Sequence, residues 1–198
     1  MTTLILVRHA QSAPRPDLPE ADFPLSDLGR QQARNLVPVL REFGVDALVS
    51  SPYQRAVDTL RPYAEAVGLE IAIDDDLRER SLGAWLVSAD AVNDAILRMH
   101  ADLDFCLPGG ESGRACLARY EAALARAIAA SPGRTIAIGA HGGVVSHFLA
   151  AHHPDLPPEF WRSIRNPHLF FFADAPNGFR WTGERTLQGP GLRASHTR

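Results

Sequence analysis

The sequence predicts an α/β protein, a three-layer α/β/α sandwich around a mainly parallel sheet. Apolar runs of strand length alternate with segments of helical periodicity, an order typical of a parallel sheet covered on both faces. With 198 residues, 45% of them hydrophobic, the chain can build one substantial core. We therefore expect a single domain over residues 1–182 with a small lid insertion around residues 74–110, and a flexible tail over residues 183–198.

These two patterns also predict the individual elements. Short apolar runs predict four central strands and two later ones, over residues 4–7, 46–50, 69–73, 135–140, 168–172 and 179–182. Helical spacing of apolar residues predicts five helices, over residues 26–40, 53–67, 89–100, 111–130 and 143–151. Pro38 and Pro62 fall inside two of these helices, where we expect an irregularity.

The composition excludes several functions. The net charge of −3 gives no general attraction to nucleic acid or to anionic membranes. All 20 basic residues are arginine, which excludes a lysine nucleophile. Cys106 and Cys116 fit no metal-ligand or redox spacing, and we expect two free thiols. No apolar run is long enough to cross a bilayer and no leader signal is visible, so we expect a cytoplasmic protein.

Histidines and charged side chains follow the four central strands at the point where each strand ends. Arg8 and His9 come directly after the first strand, and His141 comes directly after the fourth. Arg55 follows the second strand after a short turn, and Glu79 follows the third. Because ligands bind at the carboxyl ends of strands in open α/β sheets, we expect these five side chains to form one site.

These residue types suit phosphoryl transfer through a histidine. A neutral histidine accepts a phosphoryl group when one ring nitrogen is unprotonated and the other donates a hydrogen bond. Arg8, Arg55 and His141 suit binding of the phosphate oxygens, and the guanidiniums disfavour the charged form of His9. Glu79 suits protonation of the leaving oxygen. This chemistry needs no metal or other cofactor, and the sequence indicates none.

Six ordered motifs on these elements resemble the histidine phosphatase superfamily, the phosphoglycerate-mutase-like proteins. They are residues 6–12 (LVRHAQS), 25–33 (LSDLGRQQA), 50–59 (SSPYQRAVDT), 77–79 (LRE), 108–112 (PGGES) and 141–143 (HGG). The resemblance covers residues 4–172 and implies a phosphoglycerate-mutase-like fold.

The resemblance also implies a role for each site residue. His9 becomes phosphorylated, and Arg8, Arg55 and His141 hold the phosphoryl group. Glu79 is the proton donor and later the base for water. Three further positions in the motifs are implied as substrate-binding, Gln11, Ser12 and Gly142.

The chain departs from the family pattern in three places. Ala10 stands where the family most often has glycine. Many family phosphatases carry Gly-x-Trp-Glu-Gly after the acid, whereas residues 83–87 read Gly-Ala-Trp-Leu-Val. The loop after the first motif lacks the usual asparagine and carries Pro-Arg-Pro at residues 14–16. We therefore transfer no substrate from the family.

Several residues allow competing interpretations. Glu79 belongs to a charged segment that could be merely solvated, and it has four rival carboxylates nearby, Glu65, Asp74, Asp75 and Asp76. Packing or surface roles are preferred over metal binding for His147, His152 and His153. A buried strand is preferred over an aromatic platform for residues 170–172. Loop positions make three residues candidates for substrate contact, Arg15, Trp85 and Arg114.

The leading hypothesis is a metal-independent phosphomonoesterase that hydrolyses a small phosphorylated metabolite through a phosphohistidine intermediate. A phosphoglycerate-type mutase is the alternative, although the modest segment at residues 74–110 favours hydrolysis. A catalytically idle relative that only binds or regulates is the third, and it is disfavoured because every reactive position is filled. A protein-phosphohistidine phosphatase is a variant of the enzyme hypothesis. A homodimer is considered as the assembly, but the sequence leaves the oligomeric state open.

Overall fold

A computed structural model describes residues 1–83, 89–175, 178–187 and 193–194. The strands of the described chain are Thr3–Arg8 (β1), Ala47–Ser50 (β2), Ile71–Ile73 (β3), Thr135–Ala140 (β4), His168–Ala175 (β5), Gly178–Thr186 (β6) and Arg193–Ala194 (β7). Its α-helices are Asp27–Glu42 (α1), Gln54–Val67 (α2), Ala89–Ala101 (α3), Gly113–Ala130 (α4) and Gly142–His152 (α5).

The strands form one mixed sheet in the order β3-β2-β4-β1-β5-β6-β7. Strands β3, β2, β4 and β1 are parallel, whereas β5, β6 and β7 continue the sheet in antiparallel pairs. The register pairs Arg8 of β1 with Ala140 of β4, so these neighbouring strands end side by side. The four parallel strands therefore deliver their following loops to one edge of the sheet.

Helices cover both faces of the sheet. On one face, Ile5 and Val7 of β1 belong to a buried apolar cluster with residues of α1 and α2. On the other, Leu4 and Leu6 belong to a second cluster with residues of α4 and α5. Because of this alternation, residues 4–7 of β1 are completely buried, as expected for a central strand covered on both sides. The predicted three-layer α/β/α fold is confirmed.

The helix boundaries follow local signals in the sequence. Ser26 caps α1 by accepting a hydrogen bond from the Gly29 amide, and Ser112 caps α4 in the same way. Helix α2 ends at Gly68, whose φ of 72° lies in the left-handed region that favours glycine. Pro38 and Pro62 lie inside helices that continue through them.

Several predicted boundaries differ from the structure by one or more residues, among them those of β3 and β6. Strand β3 begins at Ile71 rather than at residue 69, because the Leu69 amide donates to Ala64 O and completes the end of α2. Strand β6 runs to Thr186, where it pairs with His168, and so it includes four residues of the segment predicted as a tail. The rest of that segment lies largely outside the described residues. None of the described helices is long and apolar enough to span a membrane.

Candidate active site

The loops after β1, β2 and β4 meet at the carboxyl edge of the parallel strands. The His9 amide donates to Ala140 O, and the Ser51 amide donates to Gly139 O, each over 3.0 Å. These bonds extend the sheet pairing by one residue beyond the strands. They place His9 beside His141, with the ring centroids 5.4 Å apart.

The imidazole of His9 is held in one tautomer. Its Nδ1 lies 2.7 Å from Ala10 O and must donate there, because a carbonyl only accepts. Its Nε2 then accepts from Arg55 Nε at 3.2 Å. Burial, with the neighbouring charges of Arg55 and Arg8, lowers the pKa of His9 from 6.5 to about 3. The Nε2 lone pair is therefore unprotonated at neutral pH.

The second histidine, His141, is completely buried. Its Nε2 lies 2.7 Å from Ser51 Oγ, whereas its Nδ1 has no hydrogen-bond partner among the described residues. Burial first, and then the charges of His9, Arg55 and Arg8, hold the pKa of His141 well below its usual value. The neutral imidazole of His141 can therefore donate a hydrogen bond from Nδ1 to an oxygen of an anion bound beside His9.

Arg8 has a similarly vacant group. Its Nη1 donates to Ile164 O, but its buried Nε has no hydrogen-bond partner in the part of the chain that the structure describes. Gly142 lets this guanidinium approach the start of α5, because a Cβ there would lie only 2.8 Å from Arg8 Cζ. Burial lowers the pKa of Arg8, and an anion would offset this cost of holding its charge.

Arg55 forms an ion pair that sequence reasoning missed. Its Nη2 donates to Glu20 Oε1 over 2.8 Å, and its Nη1 donates to Glu20 O over 2.7 Å. Glu20 begins a 3-10 turn, Glu20–Asp22, in the proline-rich loop after β1. The Arg55 guanidinium also lies 4.8 Å from the centroid of the Tyr53 ring, a cation–π contact. These contacts fix Arg55 against His9.

Glu79 binds the first turn of α5. Its carboxylate oxygens accept from the amides of Gly143 at 2.9 Å and Val144 at 2.7 Å. A third amide, that of Arg80, donates to Oε1 at 2.8 Å. A Cβ at position 143 would lie 2.8 Å from Glu79 Oε1, so glycine is needed for this approach. The positive end of the helix and three amides thus position the carboxylate.

The segment that carries Glu79 is clamped from behind by Arg119. This guanidinium donates to the carbonyl oxygens of Asp76, Arg78 and Glu79. It also forms a bidentate pair with Glu111, with N···O distances of 2.6 and 2.7 Å. Because Arg119 is a side chain of α4, the helix fixes the main chain on which Glu79 stands.

Arg8 and Glu79 line a cavity of about 480 Å³, here called the strand-end cavity. His9, Arg55 and His141 are not among its described lining residues. Three residues of α3, Ile96, Met99 and His100, form part of its wall. The remaining described lining residues are Arg8, Glu20, Tyr53, Glu79, Arg80, Ser81, Leu82, Gly83, Gly142, Gly143, Ser146 and Trp161. The insertion predicted as a lid thus contributes directly to this cavity.

Some predicted substrate-binding residues do not line the strand-end cavity. The side chain of Gln11 accepts from Ser26 Oγ, and neither Gln11 nor Ser12 lines the strand-end cavity. Arg15 pairs with Asp17, and Arg114 pairs with Asp104; both arginines lie on the surface outside the cavity. Trp85, with the altered stretch at residues 84–87, lies outside the described residues.

The rival carboxylates of Glu79 also lie outside the cavity. Asp74 and Asp76 pair with Arg126, while Asp75 and Glu65 are exposed. Among the described residues, no group of three His, Cys, Asp or Glu side chains is arranged to hold a metal ion.

Several of the contacts could not be read from local patterns. Ser51 and Tyr53 belong to the motif at residues 50–59, and this motif indicated that they lie near the site. Glu20 sits in a loop without periodicity, and Arg119 is one of several arginines on a helix. The contact of Glu20 with Arg55 joins residues that are 35 positions apart in the chain. The contact of Arg119 with Glu79 joins residues that are 40 positions apart.

Known proteins share this architecture. The model of the histidine phosphatase superfamily, branch 1, matches residues 4–170. A bifunctional protein of Mycobacterium tuberculosis is 35% identical over 149 residues, which are 71% of this chain and 41% of that protein. The chain thus spans less than half the length of this relative.

A second relative is similar over most of its length. Glucosyl-3-phosphoglycerate phosphatase of M. tuberculosis is 32% identical over 165 residues, 75% of this chain and 74% of that enzyme. The solved structure of mycobacterial glucosyl-3-phosphoglycerate phosphatase with inorganic phosphate has a TM-score of 0.71 and 28% identity, covering 90% of this chain and 93% of the other. The family model matches five sixths of the chain, and the solved phosphatase structure has the same fold. The chain therefore belongs to the histidine phosphatase superfamily.

Proposed function

We propose that this protein is a metal-independent phosphomonoesterase that hydrolyses a small phosphorylated metabolite through a phosphohistidine. The observation that carries the proposal is the state of His9, whose Nδ1 donates to Ala10 O and whose Nε2 is unprotonated beside two guanidiniums. A neutral imidazole in this tautomer is a competent nucleophile toward phosphorus.

The phosphate of the substrate would bind to the vacant donors around His9. Arg8 Nε and His141 Nδ1 are buried and have no hydrogen-bond partner within the described ranges, and the oxygens of an anion would satisfy both. Arg55 contributes those of its N–H groups that do not donate to Glu20 or His9. Together these groups stabilise the charge on the equatorial oxygens during transfer.

Two chemical steps follow from this arrangement. In the first, His9 Nε2 forms a bond to phosphorus as the ester P–O bond breaks, and Glu79 gives a proton to the departing alkoxide. In the second, a water attacks phosphorus, Glu79 takes a proton from that water, and the N–P bond breaks. The products are the alcohol and inorganic phosphate, and Glu79 returns to its protonated state.

The choice of hydrolysis over transfer rests on family relationships. One relative of comparable length is a phosphatase, and this supports hydrolysis over the phosphoglycerate-type mutase. The filled positions of His9, Arg8, Arg55, His141 and Glu79 support an active enzyme over an idle binding relative.

The setting of the enzyme is part of the same proposal. We expect a small phosphorylated substrate as its only partner class, without nucleic acid or membrane. Cys106 and Cys116 are both free, which fits the reducing cytoplasm. A homodimer stays a prediction, which light scattering on the purified protein would test.

The decisive experiment traps the intermediate. With a phosphate-labelled substrate and a rapid quench that avoids acid, we expect an acid-labile, base-stable phosphoprotein. His9→Ala should lose both the label and turnover, because no other group can take the role of Nε2. Normal turnover by His9→Ala would overturn the mechanism. EDTA should leave the wild-type rate unchanged, and a loss reversed by added metal would refute metal independence.

A further inference from the structure

Glu20 lies between the strand-end cavity and the buried Arg55. It lines the cavity and its side chain is 55% exposed, whereas Arg55 is 4% exposed and is not among the described lining residues. The Nη2 of Arg55 donates to Glu20 Oε1 over 2.8 Å. A phosphate that enters from the cavity therefore meets a carboxylate that is already bound to one of the guanidiniums proposed to hold it.

Each nitrogen of the Arg55 guanidinium donates a hydrogen bond within the protein. Nε donates to His9 Nε2, Nη1 donates to Glu20 O, and Nη2 donates to the Glu20 carboxylate. The lone pair of His9 Nε2 is the one that attacks phosphorus in the proposed mechanism, so the hydrogen bond from Nε must break as the nucleophile reacts. The Glu20 carboxylate is then the anion that competes with the phosphoryl group for Arg55.

The two contacts between Glu20 and Arg55 differ in how firmly the Glu20 atoms are held. The carbonyl oxygen of Glu20 also accepts from the Phe23 amide at 3.3 Å, which closes the turn Glu20–Asp22. The carboxylate forms an ion pair with Arg55 and is more than half exposed. The main chain of Glu20 can therefore keep Arg55 in place while the carboxylate turns toward solvent.

The negative charge of Glu20 acts on the region where the phosphate would bind. Tyr53 also lines the cavity, and its ring centroid lies 4.8 Å from Arg55 Cζ and 5.1 Å from the ring centroid of His141. Burial first, and then the charge of Glu20, raise the pKa of Tyr53. A charge that acts on this ring also acts on an anion bound beside Arg55 and His141, and like charges repel.

We propose that Glu20 competes with phosphate for Arg55, so that it weakens the binding of inorganic phosphate and favours the release of this product. The inference rests on the proposed function, because it requires phosphate to bind at Arg55. The carboxylate neutralises the buried guanidinium before phosphate binds, which limits the cost of holding that charge. When phosphate binds, the carboxylate either leaves Arg55 or remains beside a second anion, and both outcomes weaken the binding of phosphate.

Glu20→Gln tests the competition, because the amide keeps an oxygen that can accept from Arg55 but removes the charge. We expect the dissociation constants of inorganic phosphate and of orthovanadate, measured by titration calorimetry, to fall by about 10-fold. The inhibition constant of phosphate against p-nitrophenyl phosphate should fall by the same factor. A purely structural Glu20 predicts the opposite sign, because a loosened Arg55 binds phosphate more weakly. Asp22→Asn, an exposed carboxylate of the same turn outside the cavity, is the matched control and should leave these constants unchanged.

Two results would overturn the inference. The first is a dissociation constant of phosphate that is unchanged or larger in Glu20→Gln. The second is an equal decrease of that constant in Asp22→Asn, which would assign the effect to the general surface charge. Failure of the proposed function is a separate result, because the wild type would then bind neither phosphate nor orthovanadate and form no phosphohistidine. That result would overturn the inference together with the function.

Discussion

His9 and His141 are neutral because burial makes a charged imidazole costly, and nearby guanidiniums add to that cost. The pKa of His9 falls to about 3, and that of His141 also falls well below its usual value. An exposed histidine would be partly protonated near pH 6.5 and would lose its nucleophilic lone pair. In this site the lone pair of His9 is retained through mildly acidic pH.

Arg55 offers a test of the phosphate clamp. Arg55→Lys keeps one positive charge but loses the planar fork that contacts both His9 and Glu20. We expect kcat to fall by about 100-fold to 1,000-fold, as for loss of a single electrostatic donor, with a smaller change in KM. Steady-state kinetics measure this. Arg61→Lys on the exposed side of the same helix is the control, and full activity in Arg55→Lys would exclude direct phosphate contact.

Glu79 can be tested through the leaving group. A good leaving group departs without a proton, so Glu79→Gln should slow alkyl phosphates by about 100-fold to 10,000-fold and spare much of the first transfer from p-nitrophenyl phosphate. Hydrolysis of the phosphohistidine should then be slow, because the base for water is missing. Stopped-flow measurement should show a burst of nitrophenol.

Asp75→Asn is the matched control for Glu79→Gln. Asp75 is an exposed carboxylate on the preceding turn, outside the strand-end cavity. Its removal should leave both rates nearly unchanged. An equal slowing of aryl and alkyl esters by Glu79→Gln, without a burst, would assign Glu79 a purely structural role.

At the scale of elements, the first turn of α5 contacts both the phosphate-binding arginine and the proton donor. Gly142 lies against the Arg8 guanidinium, and Gly143 lies against the Glu79 carboxylate. Both approaches are closer than a Cβ would allow. The start of α5 therefore sets the distance between the phosphate clamp and the proton donor.

Gly143→Ala should separate activity from stability. Alanine favours a helix more than glycine does, and the atom it would strike is the end of the Glu79 side chain, so we expect stability to change by less than about 1 kcal/mol. The displaced carboxylate should lower alkyl ester hydrolysis by about 10-fold to 100-fold. Urea unfolding and kinetics on the same preparation measure the two effects. A variant with unchanged alkyl and aryl rates would contradict the need for this close approach.

For the whole molecule, buried neutral histidines make stability depend on pH. Burial lowers the pKa of His147 from 6.5 to about 4, and His147 takes no part in the proposed chemistry. Between these values the unfolded chain binds a proton that the folded chain does not. The free energy of unfolding therefore falls as the pH decreases from 6.5 to about 4, and this group adds no further loss below that range.

His147→Gln removes this contribution. We expect the slope of unfolding free energy against pH to become shallower by up to about 1.4 kcal/mol per pH unit in that window. At pH 8, where His147 is neutral in both states, the variant should show only a pH-independent difference from the wild type. Urea titrations at several pH values measure this, and parallel curves for the two proteins between pH 6.5 and 4 would refute the effect.

Much of the site could be predicted because its residues stand at the ends of apolar runs. His9 and His141 each follow a strand directly, and parallel strands must end at one edge of the sheet. The fold class and the family follow from such local signals. The proposed roles of Gln11 and Ser12 rest on motif position alone, and these two residues do not line the cavity.

Sequence alone determined the order of the elements, the residue types at the strand ends and the family, because all three are encoded by short-range periodicity and motifs. Only the tertiary structure decided that Glu20 pairs with Arg55, that Arg119 clamps the Glu79 segment and that Arg80 lines the cavity. These contacts join loops and helices distant in the chain. Their partners are selected by packing and by the cost of burying a charge, which no local pattern records.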